Sequence, residues 1–180
     1  MINAETRAQI INLINKEVVP AVGCTEPMAV ALCAAKAAEV LGCRPQKVRA
    51  QLSANILKNA MGVGIPGTGM IGLPIAIALG TLIGKSEYQL EVIKDLTPET
   101  LEEGKAFIKE QRITILRKSN IEEKLYIEVE SSTETSTATV IISCAHTNIV
   151  YVEKDGNVLL DNRTTRSESC EQKDISLDLK

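Results

Sequence analysis

Thr25-Glu26-Pro27-Met28-Ala29-Val30-Ala31-Leu32-Cys33-Ala34-Ala35-Lys36-Ala37-Ala38-Glu39-Val40-Leu41 is apolar on nearly every side, with only Lys36 and Glu39 charged beyond its first turn. A surface helix carries an apolar stripe, whereas a helix apolar all round has to be covered. The stretch therefore predicts a deeply packed helix over about Pro27–Leu41. Thr25 supplies a cap, Glu26 an acid in the first turn, and Pro27 a residue that needs no N–H donor. Gly42 stops it.

Upstream, Ile10, Ile14 and Val18 recur at i, i+4 and i+8 with Ile11 alongside, which predicts an amphipathic helix ended by Pro20. Downstream, Lys47–Leu52 alternates as a strand does. Residues 60–84 then carry no charge at all. That length would span a bilayer, but the stretch holds seven glycines and two prolines. Its uninterrupted helical part, about Met70–Ile83, is too short to cross. A buried glycine-rich loop feeding a buried helix is the reading adopted. Thr97-Pro98-Glu99 opens another capped helix to about Gln111. From there the period changes to two: Arg112–Arg117, Lys124–Glu130, Ala138–Cys144, Asn148–Val152 and Val158–Leu160 read as strands, with Asp155-Gly156-Asn157 as a hairpin turn.

Helices first and strands later give an α+β class: buried N-terminal helices on a mostly antiparallel sheet built largely by the C-terminal half. Residues 1–162 form the expected domain and 163–180 a polar tail or linker. Hydrophobic residues make up 44% of the 180, but aromatics only 2%, with one Phe and no Trp. The core must be aliphatic, and the scarcity of aromatics argues against nucleic-acid binding by base stacking. The net charge of −3 comes with scattered basic residues, which is no phosphate-backbone footprint. The first residues lack the basic and apolar regions of a signal peptide, so a reducing cytoplasm is expected. Five cysteines without a CxxC pair do not suggest a disulfide framework there.

Cys24 stands immediately before a helix N-terminus, where N–H groups and the helix dipole favour a thiolate. Cys33 and Cys43, within and just past the alanine-rich helix, read as structural. Pro66-Gly67-Thr68-Gly69 precedes a helix in the same way, and Gly67, Thr68 and Gly69 could close on a substrate carboxylate or a phosphate. Gly62-Val63-Gly64-Ile65-Pro66-Gly67 also matches GxGxxG, with Glu87 beyond it. No clean strand precedes it, so a dinucleotide site is rejected. Ser53, Asn55 and Asn59 place polar groups just before the glycines. Lys58, the last charge before the neutral stretch, is expected to be partly buried with a lowered pKa, as suits a general base. The single histidine, His146, shares a junction between strands with Thr147 and Asn148, where three polar side chains could face a pocket.

Together, Val19–Pro27, Ser53–Asn59, Gly62–Pro74 and His146–Val150 resemble the cysteine desulfidase family, which is related to the α-chain of iron–sulfur L-serine dehydratases. The resemblance implies a lyase that eliminates the β-substituent of a small L-amino acid. L-Cysteine would give pyruvate, ammonia and sulfide, and L-serine pyruvate and ammonia. It also implies a [4Fe–4S] cluster held by three cysteines with one iron open to substrate as a Lewis acid. Cys24 matches the first ligand; Cys33, Cys43, Cys144 and Cys170 match neither of the others. Pro66–Gly69 would hold the carboxylate, with Ser53, Asn55, Asn59 and Asn148 around the substrate, and Lys58 or His146 would move the proton. Family members are much longer, so the partners implied are the amino-acid substrate and a C-terminal half. This chain alone should then be inactive. The uncharged stretch also leaves room for a homo-oligomer. Two other readings stand beside this one. The first is a pyridoxal-phosphate lyase with Lys58 as Schiff base and Gly62–Gly69 on the phosphate. The second is a small-molecule binding or regulatory module without catalysis.

Overall fold

A computed structural model describes residues 3–18, 20–83 and 85–163. Cys170 and the rest of the expected tail from residue 164 on lie outside them. The elements run α1 (Ala4–Glu17), α2 (Thr25–Leu41), β1 (Lys47–Leu52), α3 (Ala54–Ala60), β2 (Gly64–Ile65), β3 (Met70–Ile71), α4 (Leu73–Ile83), a 3-10 turn (Ser86–Glu91), α5 (Pro98–Lys109), β4 (Ile113–Arg117), β5 (Tyr126–Ser132), β6 (Thr137–Ser143), β7 (Ile149–Lys154) and β8 (Asn157–Asp161). The class is α+β, with helices first and a mostly antiparallel six-stranded sheet ordered β4-β1-β5-β6-β7-β8. The one parallel pair joins β1 to β4, Val48 facing Ile113. The expected strands are all present, most of them with ends shifted by a residue or two.

The all-round apolarity of α2 has a direct cause. One side lies on β5 and β6 and the opposite side on α4, so Met28 to Ala35 are buried without a break. The Cys33 thiol faces the sheet and donates to the Val140 carbonyl at 3.3 Å. Burial pushes that thiol far above the ordinary cysteine range, so Cys33 is the structural residue it was read to be. On the far side the two helices touch backbone to backbone. A Cβ on Gly80 of α4 would sit 2.2 Å from the Ala31 carbonyl oxygen. α5 covers the outer side of α4 through Gly104, whose added Cβ would lie 3.2 Å from Leu79 Cδ2. Lys154 closes the C-terminal end of α2 by donating to the Leu41 carbonyl at 3.1 Å, where a cation suits the helix dipole.

Two expectations are corrected. The neutral stretch is not a buried loop running into a helix from Met70. Gly62, Gly64, Gly67 and Gly69 are exposed, β2 and β3 pair as a short hairpin (Gly64 with Ile71, Ile65 with Met70), and α4 starts only at Leu73. The polar stretch before it is a helix, α3, which went unread because only two of its seven residues are buried. No described helix is long and apolar enough to cross a membrane.

The close approach at Gly80 makes a quantitative prediction. Gly80→Ala puts a methyl against backbone that cannot rotate aside, and should cost about 3 kcal/mol of unfolding free energy. Gly62→Ala, with nothing within 4 Å of its new Cβ, should stay within about 0.5 kcal/mol of the parent. Denaturant titration of both variants checks this; equal stabilities would mean that α2 and α4 do not cross this closely.

Candidate functional site

Chemistry-bearing side chains gather at the N-terminal end of α2. Gly23 enters with φ +82, and a Cβ there would come within 2.8 Å of Pro66 Cγ. The loop before Cys24 is thereby laid against the tip of the β2–β3 hairpin. Cys24, not Thr25, is the N-cap of α2, and it makes no side-chain capping bond. Its half-buried thiol instead donates to Glu26 Oε2 at 2.9 Å. The Thr25 hydroxyl donates to the same oxygen at 3.3 Å, and Asn59 Nδ2 of α3 donates to Glu26 Oε1 at 3.4 Å. His146, half-buried in the β6–β7 connection, acts electrostatically on the same carboxylate.

Glu26 is thus the hub, and the sequence reading gave it only a helix-start role. Its carboxyl is held below the usual carboxylate range, first by the Cys24 hydrogen bond, then by its own backbone N–H, and in lesser part by its electrostatic interaction with His146. The consequence for Cys24 reverses the thiolate expectation. Burial, then donation to Glu26 and repulsion by its charge, push the thiol above its ordinary value. Backbone N–H groups of Glu26 and Thr25 pull the other way and are outweighed. A full negative charge in contact with the sulfur outweighs the fractional charge of a helix end. In this chain Cys24 is a thiol.

Other expected site residues are placed differently. Ser53 is the N-cap of α3: its hydroxyl accepts from the Ile56 N–H at 3.3 Å and donates to the Lys124 carbonyl at 2.7 Å. At 3% exposure it has no face for a ligand. Asn55 is exposed on the first turn of α3. Lys58 is exposed on α3, not partly buried as expected, because only Ile56 and Ala60 of that helix turn inward. The Thr68 hydroxyl, also buried, donates to Ile65 O at 2.7 Å and accepts from Met70 N–H at 2.9 Å. It ties the hairpin tip. Gly67 (φ +76) and Gly69 (φ +64) supply the left-handed turns there, and the Thr68 N–H bonds Ile65 O. The tip is therefore a tight turn held by Thr68, and the next helix, α4, begins only at Leu73 rather than directly after Gly69. On its other side, Gly67 borders an open apolar groove of about 500 Å³ with Val22, Pro66, Ile93, Leu96 and Leu101. Asn148 is exposed, and its side chain donates to Ser143 O at 2.9 Å, closing the connection in which Cys144 takes φ +71.

The structure thus brings together Cys24, Asn59 and His146 from the expected set and adds Glu26 and Thr25. The signal for Glu26 was present in its position two residues after Cys24, but only the fold shows that two other segments, α3 and the β6–β7 connection, act on it.

The residues also test the fit of a [4Fe–4S] cluster. Cys33 is enclosed between α2 and the sheet. Cys43 is exposed past the opposite end of α2, about 25 Å from Cys24 along a 17-residue helix. Among the described residues no group of three His, Cys, Asp or Glu side chains is arranged to hold a metal ion. The described residues by themselves do not fit a three-thiolate cluster.

No family model matches the chain, and no solved structure does. The chain is similar to UPF0597 proteins. One from Phocaeicola vulgatus is 63% identical over 180 residues, covering 100% of this chain and 42% of the relative. One from Bacteroides thetaiotaomicron is 62% identical over 179 residues, 99% of this chain and 41% of the relative. One from Porphyromonas gingivalis is 50% identical over 169 residues, 94% of this chain and 39% of the relative. The chain spans about two-fifths of the length of these curated relatives.

Replacing Glu26 by Gln removes the charge that holds the Cys24 proton. The thiol pKa should fall, and alkylation of Cys24 by iodoacetamide near neutral pH should speed up. A tenfold gain in thiolate yields only about threefold in rate, because nucleophilicity falls with basicity. Peptide mass spectrometry reads this against exposed Cys43 as internal reference. An unchanged or slower Cys24 would contradict the assignment of Glu26 as the group that keeps the proton on sulfur.

Proposed function

We propose that this chain is one portion of a lyase acting on a small L-amino acid, L-cysteine or L-serine, with the N-terminal end of α2 as its share of the active site. The observation that carries the reading is the meeting of a thiol, a carboxylate and an amide at one half-exposed spot, Cys24, Glu26 and Asn59, with the His146 imidazole within electrostatic reach of the carboxylate. β-Elimination requires a base for the α-proton, polar groups for the amine and carboxylate, and a partner for the leaving group. The product enamine then tautomerises and is hydrolysed to pyruvate and ammonia. In this proposal His146 takes the α-proton, since an imidazole at the half-exposed rim of the site is the side chain there best suited to a general base. Asn59 and Thr25 orient the substrate through their remaining hydrogen-bonding capacity.

Cys24 is the one thiol offered to the [4Fe–4S] cluster that the resemblance implies. The remaining ligands, by this proposal, belong to the three-fifths of the relatives that the chain does not match. The cytoplasm is the compartment proposed. A pyridoxal-phosphate reading finds less support, since Lys58 is exposed and the Thr68 hydroxyl is already bonded within the turn.

The test is a chimera in which this chain replaces the matching segment of the Phocaeicola vulgatus relative. After anaerobic reconstitution with iron and sulfide it should show cluster absorbance and release pyruvate from L-cysteine or L-serine. Cys24→Ala should lose the absorbance, and His146→Gln should retain it while slowing turnover by about 100-fold or more. The 180-residue chain alone should form no stoichiometric cluster and no pyruvate. Absence of both iron and turnover in the chimera would reject the reading.

A further inference from the structure

Among the described residues, α1 and its C-cap carry three of the large exposed hydrophobics. Ile11, Ile14 and Val18 are 45%, 50% and 67% exposed, and at i, i+3 and i+7 they form one ridge along the helix. Both ends of the helix are satisfied: the Asn3 side chain accepts from Thr6 N–H at 2.7 Å, and Val18 N–H donates to the Ile14 carbonyl at 2.8 Å. Yet no described residue of α1 belongs to the hydrophobic core or packs against it. A 14-residue helix has marginal stability in water unless its apolar face is covered. Aliphatic side chains in a row on such a helix call for a partner.

Two more large exposed aliphatics stand on elements that build the candidate site. Met61, 61% exposed, caps α3, which carries Asn59; Ile71, 68% exposed, ends the hairpin that carries Pro66. These two are neighbours, since Met61 O lies 2.7 Å from where a Gly72 Cβ would stand. α1 itself leads into the loop that holds Cys24. The other exposed large hydrophobics among the described residues, Leu116, Val158 and Leu159, lie on the two edge strands β4 and β8.

We infer that the α1 ridge is the docking surface for the polypeptide that makes up the unmatched three-fifths of the relatives, meeting an uncharged aliphatic face on it. Length argues for this occupant over a second copy. The Phocaeicola vulgatus relative matches this chain over all 180 residues, α1 included, and has more than half of its own sequence left over. α1 carries two acids and two bases, so recognition rests on apolar burial and not on charge. α1 precedes the loop that holds Cys24 by a few residues, so its occupant would stand close along the chain to the candidate site. The inference rests on the relatives' length and the exposed ridge, and it holds whether or not the site is a lyase.

Hydrogen exchange decides it. In the 180-residue chain the α1 amides should exchange nearly as fast as an unstructured peptide. In the full-length Phocaeicola vulgatus relative, the segment aligned with α1 should be protected about 100-fold or more. In the isolated chain, Ile14→Glu should leave the thermal midpoint within about 1 °C, because nothing packs on that face, and light scattering should give a monomer. Three results would each overturn the inference. The aligned segment could exchange freely in the relative; Ile14→Glu could strongly destabilise the isolated chain, placing the ridge in its own core; or the chain could be a dimer that Ile14→Glu dissociates, making a second copy the occupant. Protection of α1 in the relative together with a chimera that makes no pyruvate would retain the surface and reject the lyase.

Discussion

The contact between Gly80 and the Ala31 carbonyl sets the distance between α2 and α4, and the other layers follow from that distance. With the helices touching backbone to backbone, only small side chains fit between them. Ala31, Ala34, Ala35 and Ala76 are all fully buried. The same narrowness explains a core with almost no aromatics: Phe107 is the only Phe, and it lies at the outer layer, on α5. α2 is left with no free face. It lies on the sheet on one side and under α4 on the other, and its only exposed parts are its ends.

That confinement is what gives the N-terminal end of α2 its functional interest. A helix fixed along its length presents its first turn in one orientation. Three other segments are built around that turn. Gly23 lies against Pro66, α3 brings Asn59 to Glu26, and the β6–β7 connection brings His146 into the same field. The scaffold is aliphatic and rigid; the polar groups are at its rim.

Burial and the Glu26 carboxylate together, not helix polarity, decide the state of the sulfur. Backbone N–H groups at the start of α2 do favour the thiolate, but the Glu26 carboxylate is in direct contact and favours the thiol. A ligand or cation arriving at this spot would compete with the proton for both groups at once. Glu26 therefore links whatever binds at Cys24 to Asn59 and to His146, residues more than thirty and more than a hundred positions away.

The sequence by itself determined the α+β class, the buried character of α2, nearly every strand and the special placement of Cys24. Each of these is written in a local period, a run of apolar residues or a helix-start motif, and local patterns survive whatever the chain does elsewhere. It also showed the amphipathic face of α1, but not that the face would be left uncovered. What the tertiary structure alone decided is which polar groups are spent and which are available. Ser53 and Thr68 resemble ligand donors in the sequence, yet their hydroxyls are consumed by Ile56, Lys124, Ile65 and Met70. Lys58 precedes a long uncharged run and is nonetheless exposed, because the run folds as a hairpin and then a helix. Glu26 reads as an ordinary first-turn acid and becomes the hub. The physical reason is that a hydrogen bond belongs to a pair: one half can be read from the chain, while the partner, and so the state of the group, is set by what the fold brings within 3 Å.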